Sequence, residues 1–305
     1  MFDPPMFDVQ GHRGARGLFP ENTLEGFAAA RGLGLRSFEI DIGITGDGIP
    51  VVHHDPALNP DITRGPDGAW LEQRGPLLRD LSVRELARYD VGRIRPGTTY
   101  AATYRSQARR DGAAIPTLEA VLRADPATRF NIELKLMPDH PDWTVSAEDM
   151  ADRVLHVVDR EGAADRVTIQ SFDWRAPRHV RRVRPDVATG WLTRAETVRA
   201  APLWRGDADA STRMDLVPDA IAAEGGGIWT PFHAELTPGL LGRAHDLGLK
   251  VIPWTVNDPN DMRRLMTWGA DGLITDWPDR ALVLLRDRPS LPSKGPPDQS
   301  PGGAV

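Results

Sequence analysis

The chain has 305 residues, no cysteine and a formal net charge of −6 at pH 7. This negative balance argues against a general nucleic-acid-binding protein, which would carry a clustered basic excess. The absence of cysteine excludes disulfides, thiolate metal sites and a cysteine nucleophile. The apolar content of 40% is that of an ordinary globular protein.

No stretch approaches the roughly 18 consecutive apolar residues that a membrane-spanning helix needs. Residues 1–9 show no basic region followed by an apolar run, so no secretory signal peptide is expected. We therefore predict a cytoplasmic protein with no stable membrane insertion and no nucleic-acid partner. The sequence leaves the oligomeric state open.

Short apolar runs typical of strands alternate with helical patterns along most of the chain. The predicted strands span residues 7–11, 37–42, 130–134, 167–170, 188–192, 228–231, 251–255 and 273–275. The predicted helices span residues 24–33, 117–123, 147–160, 176–184, 238–247, 259–268 and 280–286. Such alternation predicts an α/β fold with a parallel sheet, and eight strands favour a closed (β/α)8 barrel over an open doubly wound sheet.

Two regions interrupt this alternation. Residues 59–116 are polar and rich in Gly, Pro and Arg, with one convincing short helix at 83–89. We interpret them as an insertion after the second strand that covers one mouth of the barrel. Residues 289–305 are rich in Pro, Gly and Ser, which predicts a disordered tail. Although this length often means two domains, we predict one barrel domain over residues 1–288, because such barrels reach roughly 250 residues as a single domain.

The strand predicted over 37–42 carries two carboxylates on one face. Side chains alternate along a strand, so Glu39 and Asp41 share one face and the apolar residues around them share the other. The apolar face would pack under the helices, and the carboxylates would point into the barrel. Two like charges so close are unfavourable unless a cation joins them or one keeps its proton. The alternative is a solvated edge strand with an ordinary polar face.

The strand predicted over 130–134 repeats this pattern with Asn131, Glu133 and Lys135 on one face. Glu133 would be a third inward carboxylate beside Glu39 and Asp41. Because an all-oxygen cluster selects hard cations, we predict that these three residues bind Mg²⁺ or Ca²⁺. Lys135 would supply positive charge for a phosphate or a developing oxyanion. A purely structural ion pair between Glu133 and Lys135 is the alternative.

A glycine-spaced segment, residues 11–17, directly follows the first predicted strand. Its spacing matches neither a dinucleotide-binding loop nor a P-loop, and it could be a plain turn. Its position at a strand C-terminus is where barrel enzymes place catalytic groups. Arg13 can bind a phosphate through two parallel N–H bonds, and His12 can transfer protons near neutral pH.

A second histidine follows the apolar residues 51–52. Alternation places His53 and His54 on opposite faces, so only one of them should reach the site. Asp55 could orient an imidazole or cap the following turn. Two inward histidines would provide a general acid and a general base, whereas a lone histidine at a strand end is more often structural.

The last two predicted strands end in polar and aromatic residues. Trp254 and Trp277 could wall a pocket for an apolar or cationic group. Simple packing at the rim of the barrel is the alternative for both side chains. Asp276 could equally cap the helix that follows it.

In this order, these segments resemble the glycerophosphodiester phosphodiesterase family. The resemblance covers about residues 9–279. The matching motifs are Gly11-His12-Arg13-Gly14, Pro20-Glu21-Asn22-Thr23, Glu39-x-Asp41, His54-Asp55, Ile115-Pro116-Thr117-Leu118-Glu119, Glu133-x-Lys135, Ser171-Phe172-Asp173, Trp254-Thr255-Val256-Asn257 and Thr275-Asp276-x-Pro278.

The resemblance implies a TIM (β/α)8 barrel that hydrolyses glycerophosphodiesters to sn-glycerol 3-phosphate and an alcohol. The implied site residues are the Mg²⁺ or Ca²⁺ ligands Glu39, Asp41 and Glu133, the acid/base pair His12 and His54, the phosphate-binding Arg13 and Lys135, and the pocket residues Asn22 and Trp254. Asn22 also occupies a position where a helix N-cap would lie, with Glu25 three residues further on.

Two other functions are compatible with parts of this pattern. A phospholipase D-like lyase acting on lysophospholipids would use a similar site, but such enzymes are secreted and stapled by cysteines. A catalytically silent barrel that only binds phosphodiesters would be expected to lack one of the two histidines or three carboxylates. All five residues are present here.

Overall fold

The computed structural model describes residues 7–286. Its core is a barrel of parallel strands, β1 and β2 followed by β4 to β9, while the short β3 pairs antiparallel with β2. The strands are β1 (Asp8–His12), β2 (Ser37–Ile44), β3 (Pro50–Val52), β4 (Arg129–Leu134), β5 (Val167–Ser171), β6 (Ala188–Thr193), β7 (Ile228–Pro231), β8 (Lys250–Val251) and β9 (Gly272–Thr275). All eight strands of the predicted barrel are therefore confirmed, although the strand predicted at 251–255 is found as the two-residue β8.

The barrel closes between the segment that follows β8 and the last strand. The strand order is β8-β7-β6-β5-β4-β2-β1-β9. Backbone hydrogen bonds join the two ends of this order, from Asp271 N to Val251 O at 3.0 Å and from Ile274 N to Pro253 O at 2.9 Å. This closure confirms the predicted barrel over an open sheet.

Helices surround the barrel. They are α1 (Leu24–Gly32), α2 (Val83–Leu86), α3 (Thr99–Thr103), α4 (Leu118–Ala124), α5 (Ala147–Arg160), α6 (Arg175–Val183), α7 (Ala195–Arg199), α8 (Ala201–Arg205), α9 (Val217–Ala223), α10 (Pro238–Asp246), α11 (Pro259–Trp268) and α12 (Pro278–Arg286). The sequence did not predict α3 or α7 to α9. Each has seven residues or fewer, too short to show a helical period.

The apolar face of β2 packs against helices outside the barrel. Phe38 is buried and lies 5.4 Å from the ring of Phe27 on α1 and 6.1 Å from the ring of Phe130 on β4. Ile40 and Ile42 are fully buried in the same core. Because side chains alternate along the strand, this packing turns Glu39, Asp41 and their neighbours on the other face toward the barrel interior.

The segment between β3 and α4 forms a layer with an apolar cluster of its own. The cluster contains Val51, Leu58, Leu78, Leu86, Val91 and Ile115. This layer corresponds to the insertion predicted at 59–116, and Ala108 N donates a hydrogen bond to Leu18 O in the loop after β1. The insertion therefore packs against the mouth of the barrel where the parallel strands end.

Several predictions concern residues outside the part of the chain described here. The tail predicted at 289–305 and the end of the predicted domain at residue 288 lie beyond residue 286, so the domain division stays a prediction. Within residues 7–286, no helix combines the length and the apolar character that crossing a membrane requires.

Candidate active site

Strands β2 and β4 bring three carboxylates together inside the barrel. Asp41 pairs in register with Glu133, and Glu39 pairs with Asn131. One oxygen atom from each of Glu39, Asp41 and Glu133 lies within 4.8 Å of the others. All three residues are buried, with exposed fractions of 2%, 0% and 8%. A solvated edge strand is therefore excluded.

The three carboxylates fit a bound cation. Glu39 Oε1 and Asp41 Oδ1 are buried and have no hydrogen-bond partner among the described residues. Burial, together with the charges of Asp41 and Glu133, raises the pKa of Glu39 well above its usual value. Burial and the Asp41 charge also raise the pKa of Glu133. A divalent cation would satisfy the free oxygens and remove this repulsion.

Lys135 partly neutralises the cluster. Its Nζ donates to Glu133 Oε1 at 2.7 Å and lies 3.6 Å from Asp41 Oδ1. Burial alone would lower the pKa of Lys135, but the charges of Glu133 and Asp41 outweigh it and raise the pKa. The ion pair considered as an alternative is therefore present, and it holds a positive charge at the carboxylates.

The glycine-spaced loop after β1 is a tight turn that carries site residues. Arg13 has a left-handed φ of 52°, and Gly14 has a φ of 93°. A Cβ added to Gly11 would lie 1.8 Å from the Gly14 carbonyl oxygen, so only glycine permits this turn. The turn directs the backbone N–H of Arg13 to Glu39 Oε2 at 3.0 Å.

The Arg13 guanidinium is buried among carboxylates. Its Nη1 donates to Glu21 Oε1 at 2.7 Å, and its Nε lies 3.5 Å from Asp41 Oδ2. Burial would lower the pKa of Arg13, but the charges of Glu21 and Asp41 raise it instead. A second fixed positive charge therefore lies at the carboxylate cluster, in addition to that of Lys135.

His12 connects the cluster to the last strand of the barrel. Its Nδ1 donates to Asp276 Oδ1 at 2.6 Å, and its Nε2 lies 3.8 Å from Glu39 Oε2. Burial and the charge of Arg16 lower the pKa of His12 to about 4, although Asp276 acts in the opposite direction. The imidazole is therefore neutral near pH 7, with the Nε2 lone pair facing the carboxylates.

His54 lies half-buried at the edge of the same cluster. Its Nδ1 donates to Asp55 Oδ1 at 2.7 Å, and Asn59 Nδ2 donates to Asp55 Oδ2 at 2.8 Å. Burial and the charges of Arg13 and Lys135 lower the pKa of His54 well below its usual value. Asp55 therefore orients the imidazole, which is one of the two roles that the sequence suggested for this residue.

His53, the neighbour of His54, is not equivalent to it. It is 4% exposed, whereas the His54 side chain is 30% exposed. The His53 backbone N–H donates to Asp41 O at 2.9 Å, which continues the pairing of β2 with β3. The sequence predicted that the two histidines lie on opposite faces and that only one of them reaches the site. The two side chains differ in exposure, and which of them serves the site stays a prediction.

Asn22 lies beside the carboxylate cluster and is not a helix cap. Thr23 is the N-cap of α1, because its Oγ1 accepts from Gly26 N at 3.0 Å. Asn22 instead has a left-handed φ of 54°, and its Nδ2 donates to Asp41 Oδ2 at 3.0 Å. The interpretation of Asn22 as an N-cap is therefore wrong by one residue, because Asn22 belongs to the turn that precedes the cap residue Thr23.

Trp254 lies in an aromatic cluster where β5, β7 and β8 end. Its ring is 5.3 Å from that of Phe172 and 5.5 Å from that of Phe232, and its Nε1 donates to Thr230 O at 3.0 Å. Trp277 packs elsewhere, with its ring 5.6 Å from that of Tyr104 in the insertion. The two tryptophans therefore do not share one wall.

Sequence similarity identifies the family. A profile of the glycerophosphoryl diester phosphodiesterase family matches residues 12–280. The chain belongs to this family. A glycerophosphodiester phosphodiesterase of Caldanaerobacter subterraneus is 29% identical, with 91% of this chain and 97% of the relative covered.

Solved structures of phosphodiesterases share this fold. A crystal structure from Silicibacter pomeroyi, assigned to the same family, is 37% identical with a TM-score of 0.84, and the match covers 93% of this chain and 95% of that one. A phosphodiesterase of Oleispira antarctica, in complex with the product sn-glycerol-3-phosphate, is 22% identical with a TM-score of 0.69; the match covers 92% and 96%.

The sequence did not predict the contacts that Asp276 makes in this member of the family. Its Oδ1 accepts from His12 and from Arg16 Nε, and its Oδ2 accepts from Tyr104 OH and Asn257 Nδ2. These cationic and polar donors keep the pKa of Asp276 well below its usual value despite burial. The helix-cap interpretation of Asp276 is wrong. The motif Thr275-Asp276-x-Pro278 was the sequence feature that could have indicated a role for Asp276 in the site.

Proposed function

We propose that this chain is a metal-dependent phosphodiesterase that hydrolyses glycerophosphodiesters to sn-glycerol 3-phosphate and an alcohol. The observation that carries the proposal is the buried cluster of Glu39, Asp41 and Glu133, with two imidazoles at its edge, in a member of the glycerophosphoryl diester phosphodiesterase family. Phosphodiester cleavage needs the neutralised charge and the proton transfers that such a site provides.

The proposed metal is Mg²⁺ or Ca²⁺, held by Glu39, Asp41 and Glu133. Oxygen-only ligand sets favour these hard cations, and buried carboxylate oxygens without hydrogen bonds support such a role. When bound, the cation would stabilise negative charge on the phosphoryl oxygens and lower the pKa of a hydroxyl group next to it.

The proposed catalytic pair is His12 and His54. Each imidazole is fixed by a carboxylate at Nδ1, Asp276 for His12 and Asp55 for His54, so each Nε2 is the nitrogen left for proton transfer. One imidazole accepts the proton of the attacking glycerol hydroxyl, and the other protonates the oxygen of the leaving alcohol, so a cyclic phosphodiester forms as the bond to the alcohol breaks. Water then opens this cyclic phosphodiester to sn-glycerol 3-phosphate, with the two imidazoles exchanging roles. Because its pKa is low, the His12 imidazole is neutral at neutral pH, so its Nε2 carries no proton and can accept one.

The proposed substrate-binding residues are Arg13, Lys135, Asn22 and Trp254. The two buried cations offset the charge of the phosphate where the whole chain is negative. Asn22 holds Asp41 through its amide and has an unpaired carbonyl oxygen, Oδ1. The Trp254 ring supplies an apolar surface at the same mouth. The cytoplasmic location and the absence of a nucleic-acid partner stay predictions.

The test uses phosphorus NMR for the phosphorylated product and proton NMR for the released alcohol, in reactions with glycerophosphocholine and with glycerophosphoethanolamine. We expect sn-glycerol 3-phosphate and free choline or ethanolamine. A cyclic glycerol phosphate as the final product, or cleavage of lysophospholipids only, would instead assign the chain to the lyase class. Binding without turnover of either substrate would make it a silent barrel.

A further inference from the structure

Two tyrosines of the insertion reach the carboxylates behind the active-site residues. Tyr100 lies on α3, and Tyr104 directly follows that helix; their rings are 4.8 Å apart. The Tyr104 hydroxyl donates to Asp276 Oδ2 at 3.0 Å. The Tyr100 hydroxyl donates to Glu21 Oε2. One short segment of the insertion therefore contacts two separate parts of the barrel mouth.

Through its other oxygen, each of these two carboxylates accepts a hydrogen bond from a residue of the candidate active site. Asp276 Oδ1 accepts from His12 Nδ1 at 2.6 Å, and Glu21 Oε1 accepts from Arg13 Nη1 at 2.7 Å. The two tyrosines are thus one side chain removed from the imidazole and from the guanidinium. A hydrogen bond that fixes one carboxylate oxygen also fixes the plane in which the other oxygen accepts.

Arg16 links the two halves of this arrangement. Its Nε donates to Asp276 Oδ1 at 2.7 Å, and its Nη1 donates to Tyr100 OH at 3.4 Å. Its guanidinium carbon lies 5.2 Å from the centre of the Tyr104 ring. The network therefore runs without a break from Glu21 through Tyr100 and Arg16 to Asp276.

Burial makes the Tyr104 hydroxyl group hard to replace. Asp276 is 0% exposed and Tyr104 is 7% exposed. Without the Tyr104 hydroxyl, Asp276 Oδ2 would keep only the Asn257 amide as a donor. Because a buried carboxylate needs its donors, it would rotate or shift to regain one, and the imidazole would move with it.

We propose that the insertion positions the active site, with Tyr104 orienting His12 through Asp276 and Tyr100 orienting Arg13 through Glu21. The effect on turnover rests on the proposed function, whereas the effect on geometry does not. Both tyrosines are positioning residues that do not touch the substrate. The insertion therefore contributes to catalysis in addition to covering the barrel mouth.

The test compares three variants that each lose one hydroxyl group. Tyr104→Phe should lower kcat about tenfold with KM within about twofold, because a displaced imidazole slows proton transfer. Tyr100→Phe should mainly raise KM, because Arg13 binds the phosphate. Tyr89→Phe is the matched control: Tyr89 is the third tyrosine of the chain and lies in the same insertion, and its hydroxyl makes no hydrogen bond to a described residue. It should match the wild type.

A double-mutant cycle separates positioning from general loosening. In an Asp276→Asn background, Tyr104→Phe should change kcat by less than about twofold, because the hydroxyl acts through that carboxylate. An undiminished tenfold effect there would overturn the proposal. Equal losses of kcat in Tyr104→Phe and Tyr89→Phe would do the same.

Proton NMR of the His12 Nδ1–H gives a readout that needs no turnover. The short hydrogen bond to Asp276 should give a strongly downfield resonance, assigned by its loss in His12→Ala. The resonance should shift or broaden in Tyr104→Phe and stay in place in Tyr89→Phe. If the wild type fails to cleave glycerophosphodiesters, the proposed function is wrong, and this resonance still decides the positioning role: an unchanged resonance in Tyr104→Phe overturns it.

Discussion

Charge balance explains how Glu39, Asp41 and Glu133 can lie buried within 4.8 Å of one another. Three carboxylates would repel strongly in a site of low polarity. Arg13 and Lys135 offset part of this charge, while burial, followed by the neighbouring carboxylates, still raises the pKa values of Glu39 and Glu133. A bound divalent cation would supply the remaining positive charge.

Lys135 should therefore have opposite effects on metal binding and on catalysis. In Lys135→Met, the carboxylates lose a competing cation, so Mg²⁺ or Ca²⁺ should bind at least as tightly as in the wild type. The phosphate loses a charge partner, so kcat/KM should fall by roughly 10²-fold. Titration calorimetry and steady-state kinetics measure the two effects.

Lys250→Met is the control for this prediction, because Lys250 is exposed and lies at the opposite end of the barrel, on β8. It should change neither quantity. A Lys135→Met protein that binds the cation much more weakly would show that Lys135 organises the carboxylates and does not compete with the metal.

At the scale of the element, β2 and β4 serve the core and the site with alternate residues. Phe38 packs between Phe27 and Phe130, one residue before Glu39. Phe38→Ala should reduce the free energy of unfolding by about 3–5 kcal/mol, because a large buried ring leaves a cavity. Thermal denaturation measures this loss, and Val283→Ala, on a residue that is 52% exposed, should have little effect. A Phe38→Ala protein as stable as the wild type would contradict the packing described here.

Alternation along single strands allowed the sequence to predict the inward carboxylates. Glu39, Asp41 and Glu133 follow from a period of two and from apolar neighbours, and both facts are local. The partners of Asp276 could not be found in this way, because His12 and Tyr104 are 264 and 172 residues away in the chain. Contacts across a closed barrel depend on where each strand sits in the ring.

The structure of the insertion could also be predicted only in part from the sequence. Its sequence predicted a cover for the barrel mouth, since residues 59–116 break the alternation of strands and helices. It did not reveal α3, which has five residues, or the tyrosine hydroxyls that reach Glu21 and Asp276. A short helix has too little periodicity to be recognised without its tertiary contacts.

At the scale of the whole molecule, the barrel gathers distant residues at one end. The chain carries a net charge of −6, whereas Arg13, Arg16 and Lys135 concentrate positive charge where the parallel strands end. Carboxylates pair with each of these cations, so the cations alone do not make this end of the barrel attractive to an anion. We therefore expect a phosphate to bind there only when a divalent cation also occupies the carboxylate cluster.

The most direct test of this account is metal-dependent release of sn-glycerol 3-phosphate by the chelator-treated protein. Activity should be absent after chelation and return on titration with Mg²⁺ or Ca²⁺. Glu133→Gln should need at least roughly tenfold more metal, because Glu133 is a proposed ligand and even the loss of a residue that only holds a ligand can weaken metal binding tenfold. The control is Glu72→Gln, at an exposed position, which should behave as the wild type. Full activity after chelation, or in Glu133→Gln without added metal, would contradict the account.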